Sequence, residues 1–198
     1  MSEKETLWIK SALQGDEQSF GFLVDHYQKP VFSLCYRMLG NYHDAEDAAQ
    51  ESFIKAYQNL KKYDTIRPFG TWLLSITAHH CIDCLRKRRL PTVSIEALPA
   101  EIVPDKGVPS PELVFRQAEW DLRVKELMMS LKPLDRAAVA LRYWHECSEV
   151  EIAEALNLSV SAVKSRLYRS RQTLAKSWLE MEKNSTSKER RPYESPAI

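Results

Sequence analysis

Residues 90–111 read LPTVSIEALPAEIVPDKGVPSP, and the prolines at 91, 99, 104, 109 and 111 follow no regular period. Proline fixes its own φ and removes a backbone donor, so neither a helix interior nor a central strand can cross such a stretch. It reads as an extended linker, and it splits a chain of 198 residues into two halves that each have to build a core. On both sides of it apolar residues recur at three- and four-residue spacing, and only five glycines occur in the whole chain. That pattern predicts an all-α protein, two small helical domains joined by the Pro-rich segment. The expected bounds are 15–90 for the first domain, 91–115 for the linker, 116–180 for the second domain and 181–198 for a polar, disordered tail. Within the first domain the helical pattern is expected to break at Pro30, at GNYHD and at KKYDTIRPFG. No internal repeat is visible.

Hydrophobic residues at 44% and charged residues at 28% fit a soluble globular protein. No apolar run approaches the roughly 20 residues of a membrane span, and MSEKETLWIK lacks the apolar centre of a secretory signal, so a cytoplasmic protein is expected. Cys35, Cys81, Cys84 and Cys147 are too few for a disulfide framework and are expected as free thiols. The net charge is only +1, but its sign is unevenly distributed. Asp44, Glu46, Asp47 and Glu51 form an acidic block, and Arg86, Lys87, Arg88 and Arg89 a basic one. A second basic block holds Lys164, Arg166, Arg169, Arg171 and Lys176. One acidic and two basic faces suit a chain that holds a protein with the first and nucleic acid with the others.

The second domain carries the sharper local signal. Ser148 and Glu151 have capping-box spacing and open an apolar run of Val150, Ile152, Ala153 and Leu156. The triplet NLS at 157–159 supplies a tight turn, and Ser159 can cap a following helix whose Val163, Leu167 and Leu174 share one face. Two helices joined by a three-residue turn, the second strongly basic, make a helix-turn-helix. Ser161, Lys164, Ser165 and Tyr168 lie off the apolar row, where they can meet base edges, and Arg169 and Arg171 can reach phosphates.

ITAHHCIDCLRKRR, residues 76–89, places two histidines and a Cys-x-x-Cys pair before four cations. Metal binding needs convergent ligands, whereas residues 79, 80, 81 and 84 spread around a helix and no second Cys or His pair follows at zinc-finger spacing. No metal and no cofactor is expected. Neither a base–nucleophile–orienter set nor a phosphate loop is present, so the chain is expected not to be an enzyme.

The stretches GDEQSFGFLVDHYQKPVFSLCYRML, DAEDAAQESFIKAY and FGTWLLSITAHHCIDCLRKRR resemble region 2 of the extracytoplasmic-function (ECF) sigma factors of bacterial RNA polymerase. LKPLDRAAVALRYWHECSEVEIAEALNLSVSAVKSRLYRSRQTL resembles their region 4, and the segments stand in the family's order over residues 15–90 and 120–178. The resemblance implies that region 2 binds the polymerase clamp helices and melts and reads the minus-10 element, while region 4 reads the minus-35 element. Asp47, Gln50 and Glu51 sit at i, i+3 and i+4 opposite Ala45, Ala49, Phe53 and Ala56, and the family uses this row against the clamp.

For the minus-10 DNA the resemblance implies Tyr63 and Arg67 in the loop KKYDTIRP, and His79, Asp83, Arg86, Lys87, Arg88 and Arg89 on the following helix. For the minus-35 DNA it implies Arg142, Lys164, Ser165, Tyr168 and Arg169, with Arg166 and Arg171 as secondary phosphate or scaffold contacts. His79 departs from the family's usual asparagine, and SVSAV departs from its frequent Pro-x-Gly-Thr-Val turn. The partners expected are core RNA polymerase through its clamp helices, promoter DNA as duplex and as melted non-template strand, and an anti-sigma factor of the kind that restrains many relatives. The competing reading is a stand-alone helix-turn-helix regulator.

Overall fold

The computed structural model describes residues 3–88 and 111–189, with side chains placed for 3–88 and 119–183. Among these residues the chain forms eight α-helices, one short 3-10 turn and no strand. The first group comprises α1 (Glu3–Leu13), α2 (Glu17–Leu39), α3 (Tyr42–Asn59), the turn Leu60–Lys62 and α4 (Phe69–Arg88). The second comprises α5 (Pro111–Ser130), α6 (Pro133–Tyr143), α7 (Glu149–Ala155) and α8 (Val160–Glu189).

The first group is built around α2. Asp16 caps its N-terminus by accepting the Gln18 N–H at 3.2 Å, and Gly40 ends it in the left-handed region at φ 80°. Gly40 is required there: a Cβ would stand 3.0 Å from Met129 Cε, on a backbone that L side chains rarely adopt. The expected break at Pro30 does not occur. Pro30 removes one interior backbone bond, but α2 continues because Val31, Leu34, Cys35 and Met38 of its second half are fully buried. Helix α3 lays Ala45, Ala48, Ala49, Ser52 and Ala56 into the core, and these short side chains let its axis lie close to its neighbours. Helix α4 contributes Phe69, Leu73, Leu74, Ala78 and Cys81.

Helix α1 precedes the expected start of the first domain. Its Ile9 and Ala12 are buried, Trp8 meets Phe22 with ring centroids 5.6 Å apart, and buried Glu5 accepts the Tyr27 hydroxyl at 2.6 Å. Burial, with Glu5 beside it, pushes the Tyr27 phenol well above its ordinary value.

In the second group, Ser148 accepts the Glu151 N–H while Glu151 Oε2 accepts the Ser148 N–H at 2.7 Å, the reciprocal cap expected from the sequence. Asn157 turns the chain at φ 54°, a conformation asparagine tolerates, and the Leu158 N–H returns to the Ala153 carbonyl at 2.8 Å. Ser159 then accepts the Ala162 N–H, and Val163 and Leu167 are buried. Two expected limits differ. Helix α5 begins at Pro111, inside the expected linker, and a first-turn proline costs nothing because its N–H would be unpaired there. Helix α8 continues to Glu189, into the expected tail. Residues 89–110 and 190–198, which hold the last two positions of the expected first domain, most of the linker and the end of the tail, lie outside the described residues.

The two groups touch. Arg136 of α6 is 5% exposed and donates to the Met38 carbonyl at 2.5 Å, in the last turn of α2, and to the Met129 and Leu131 carbonyls at 3.1 and 3.0 Å. A guanidinium against carbonyls at a helix C-terminus is favourably placed in the helix dipole. Arg37 lies over the Trp144 ring, 4.7 Å from its centroid.

Candidate functional site

The alanine face of α3 is buried, so its opposite face is a ridge, and Asp47, Gln50 and Glu51 are exposed along it. A groove of about 380 Å³ runs on the α2 side, lined by Val24, Phe32, Tyr42 and Phe53, with Glu46 and Gln50 at its edge. A second cleft of about 450 Å³ runs on the α4 side, bounded by Asp44, Asp47, Glu51, His80, Lys87 and Arg88. The row predicted from spacing is therefore gathered on one convex face between two depressions.

The second cleft holds a mixed set of charges. Lys55 Nζ donates to His80 Nδ1 at 2.5 Å and stands 4.0 Å from Glu51, and Arg88 pairs with Asp44 at the start of α3. An ammonium can only donate, so His80 is held neutral; burial first and the Lys55 charge second keep it below its ordinary value. Arg86 pairs with Asp83 at 2.5 Å. Of the basic run assigned to DNA, Lys87 is exposed, while Arg86 and Arg88 are engaged within the chain. Arg89 lies outside the described residues.

The histidines and cysteines of α4 do not converge. His79 Nδ1 is 2.9 Å from the Ser75 carbonyl, Cys81 points inward to Cys35 with sulfurs 3.7 Å apart, and Cys84 lies 3.6 Å from His80 Nε2. The Ser75 carbonyl can only accept, so His79 donates to it through its Nδ1–H. The bond to Cys35, together with burial, pushes the Cys81 thiol far up, and burial raises Cys84 and takes Cys147 to about 11. These are thiols with little thiolate character. Among the described residues no three His, Cys, Asp or Glu side chains are grouped so as to hold a metal ion.

The loop before α4 is internally tied. Ile66 N–H bonds Asp64 Oδ1 at 3.0 Å, Arg67 N–H bonds the Asp64 carbonyl at 3.1 Å, and the Tyr63 hydroxyl donates to the Arg67 carbonyl. Tyr63 was expected to meet a base. The residue is 6% exposed, and its ring packs against Phe69 and Trp72, with centroids 5.3 and 5.0 Å away. In this arrangement Tyr63 shapes the loop and leaves the outer surface to others. Arg67 is on that surface, and so is Ile66 at 90% exposure, a residue that spacing and charge gave no reason to single out.

On α8, Lys164, Ser165, Tyr168 and Arg169 are all exposed on one side of the buried Val163–Leu167 row. Arg142 is exposed and donates through Nη1 to the Cys147 carbonyl at 3.0 Å. Arg166 pairs with Asp135 of α6 at 2.6 Å in a largely covered position, which makes it scaffold. Arg171 reaches the Tyr143 hydroxyl at 3.5 Å. Four of the five residues expected to face duplex DNA thus share the exposed side of α8, and Arg142 stands in the last turn of α6.

This architecture, a helical group with an acidic ridge followed by a basic helix-turn-helix, is that of a two-region transcription initiation factor. The family model for Sigma-70 region 2 matches residues 23–90, and that for Sigma-70 region 4 matches residues 121–174. The sequence is 37% identical over 177 residues to the ECF RNA polymerase sigma factor SigW of Bacillus subtilis (strain 168), covering 85% of this chain and 93% of that one. It is 35% identical over 158 residues to the ECF RNA polymerase sigma factor SigE of Mycolicibacterium smegmatis, covering 79% of this chain and 60% of the relative. In fold it is similar to CnrH in complex with the cytosolic domain of CnrY, with a TM-score of 0.66, 24% identity, and coverage of 90% of this chain and 99% of that one. The chain belongs to the sigma-70 family, in its ECF branch. It is a sigma subunit that directs transcription initiation, and the stand-alone regulator is not favoured, since it leaves the match over 23–90 without a role.

Proposed function

We propose that α3 docks on the clamp helices of core RNA polymerase through Asp47, Gln50 and Glu51, while the loop 63–68 and α4 engage the melted minus-10 strand and α8 reads the minus-35 duplex. The observation that carries the first assignment is the exposed row on a ridge flanked by two depressions. Two antiparallel partner helices can straddle such a ridge, one in each groove, with their cations on the carboxylates. In the minus-10 set, Lys87 and Arg67 are the exposed cations for phosphate, Arg67 standing 4.0 Å from Glu154, and His79 Nε2 is the ring nitrogen left to meet a base. In the minus-35 set, Lys164 stands in the early part of α8, where a recognition helix meets base edges, and Arg169 further along meets phosphate. The chain acts by binding and catalyses nothing itself, and its site of action is the cytoplasm; among the described residues no helix is long and apolar enough to cross a membrane. An anti-sigma protein covering the α3 ridge would keep the subunit from the polymerase.

The test is a titration of core polymerase with Asp47→Lys/Glu51→Lys. Both positions are exposed, so helical content should be unchanged while core affinity falls at least tenfold, about 1.4 kcal/mol. Unaltered affinity would remove the ridge from the interface.

A further inference from the structure

Helix α1 lies wholly outside the stretch 23–90 that the region 2 model matches, yet it carries a carboxylate into the interior. Glu5 is 6% exposed. Burying a carboxylate is unfavourable unless it is hydrogen-bonded, so what Glu5 holds is informative. Its Oε1 accepts the Tyr27 hydroxyl of α2 at 2.6 Å. A phenol has a single proton to give, and with that proton on Glu5 the Tyr27 oxygen is left as an acceptor. The Gly70 N–H of α4 interacts with this same oxygen. Gly70 is the second residue of α4, and the N–H groups of a helix's first turn find no partner inside the helix. The close approach depends on glycine, since a Cβ at position 70 would stand 3.0 Å from Tyr27 Cε1 and 3.1 Å from the hydroxyl.

This relay ends at the loop assigned to the minus-10 strand. The Pro68 carbonyl, at the end of that loop, accepts the Trp72 N–H at 3.2 Å and is fixed to the first turn of α4. Phe69, beside Gly70, packs against the rings of both Tyr27 and Tyr63, with centroids 5.6 and 5.3 Å away. Tyr63 in turn holds the Arg67 carbonyl. A shift of the Tyr27 hydroxyl is therefore passed through the first turn of α4 to both ends of the loop, whose Ile66 and Arg67 are exposed. We propose that Glu5 and Tyr27 are positioning residues for minus-10 reading, which anchor the first turn of α4 and so set where the loop 63–68 presents Ile66 and Arg67 to the unpaired strand. The proposal rests on the assignment of that loop to the minus-10 strand. Neither Glu5 nor Tyr27 touches DNA; both act through Gly70 and Phe69.

The experiment uses holoenzyme, the full chain with core polymerase, offered single-stranded oligonucleotides randomised across the minus-10 element. The bound fraction is sequenced, and core affinity and melting temperature are measured beside it. Tyr27→Phe removes the hydroxyl, Glu5→Leu removes its acceptor and Gly70→Ala removes the close approach. Each should flatten the base preference several-fold at a minus-10 position while core affinity stays unchanged. Glu5→Gln, whose amide oxygen still accepts the hydroxyl, should keep the original profile. Trp8→Leu trims the contact of α1 with Phe22 and leaves the relay intact, so it should lower the melting temperature without altering the profile. A profile that simply follows melting temperature across the set, or an original profile for Tyr27→Phe and Gly70→Ala, would overturn the proposal. Ile66→Ala/Arg67→Ala checks the loop assignment itself. If that variant keeps the original profile, the loop assignment falls and the proposal with it; if it alters the profile and Tyr27→Phe does not, the relay alone is wrong.

Discussion

His80 accepts the Lys55 ammonium on a ring nitrogen that must be unprotonated, and His145 is held among residues of α4 and the α6–α7 loop with its Nε2 buried and unpaired. Burial keeps both below the ordinary histidine value, with Lys55 adding to the effect at His80. The unfolded chain therefore binds protons that the folded one refuses, and the sign follows: stability is full above about pH 6.5 and falls as the pH drops through that value. Glu151 acts in a lower window. The Ser148 hydroxyl and N–H hold its carboxyl below the usual range, so its contribution is present above the unfolded value and is lost as the pH falls toward the lowered one. Thermal melts should show a declining midpoint between about pH 7.5 and about pH 5.5, and His80→Gln/His145→Gln should flatten that slope. Parallel slopes would place the proton-linked groups elsewhere. Ser148→Ala should cost about 1 kcal/mol at neutral pH, by removing one half of the α7 cap. A loss below a few tenths in urea unfolding would mean that the cap is redundant.

At the scale of elements, the helices written in strong periodicity were legible and the neighbours that decide what a side chain touches were not. The capping box at Ser148, the NLS turn and the buried face of α8 follow from local spacing alone, and so does the polar row of α3 opposite its alanines. Pro30 defied local propensity because burial on both sides of it outweighs one lost bond. Tyr63 and Arg88 sit in the segments expected, but aromatic packing against Trp72 and the ion pair with Asp44 are long-range facts that a motif cannot carry. Helix α1, anchored by Glu5 on Tyr27, escaped notice for the same reason. Helix α8 makes the sharper prediction. Lys164→Ala should relax base preference at one minus-35 position by about 1 to 3 kcal/mol. Arg169→Ala should weaken binding to all sequences alike and lower the salt slope by about one unit. Binding profiles over a promoter library distinguish the two, and unchanged profiles for both variants would clear α8 of the role.

Across the whole molecule, the sequence divides at its prolines, yet the two groups meet through contacts that no local pattern announces: Arg136 and the Met38 carbonyl are 98 positions apart. Family membership states what such a molecule does; its geometry adds an exposed acidic ridge on α3 and an exposed basic face on α8 among the eight helices of the described residues. The ridge on α3 and the surface of α8 lie on different groups, so the account requires both for initiation and assigns them different steps. The most direct measurement is to add the full chain to core RNA polymerase on genomic DNA and sequence the 5′ ends of the transcripts. The account predicts start sites that share one upstream pair of elements, lost as a set when Asp47 and Glu51 are reversed to lysine and redistributed when Lys164 is removed. Transcripts unchanged from those of core enzyme alone would contradict it.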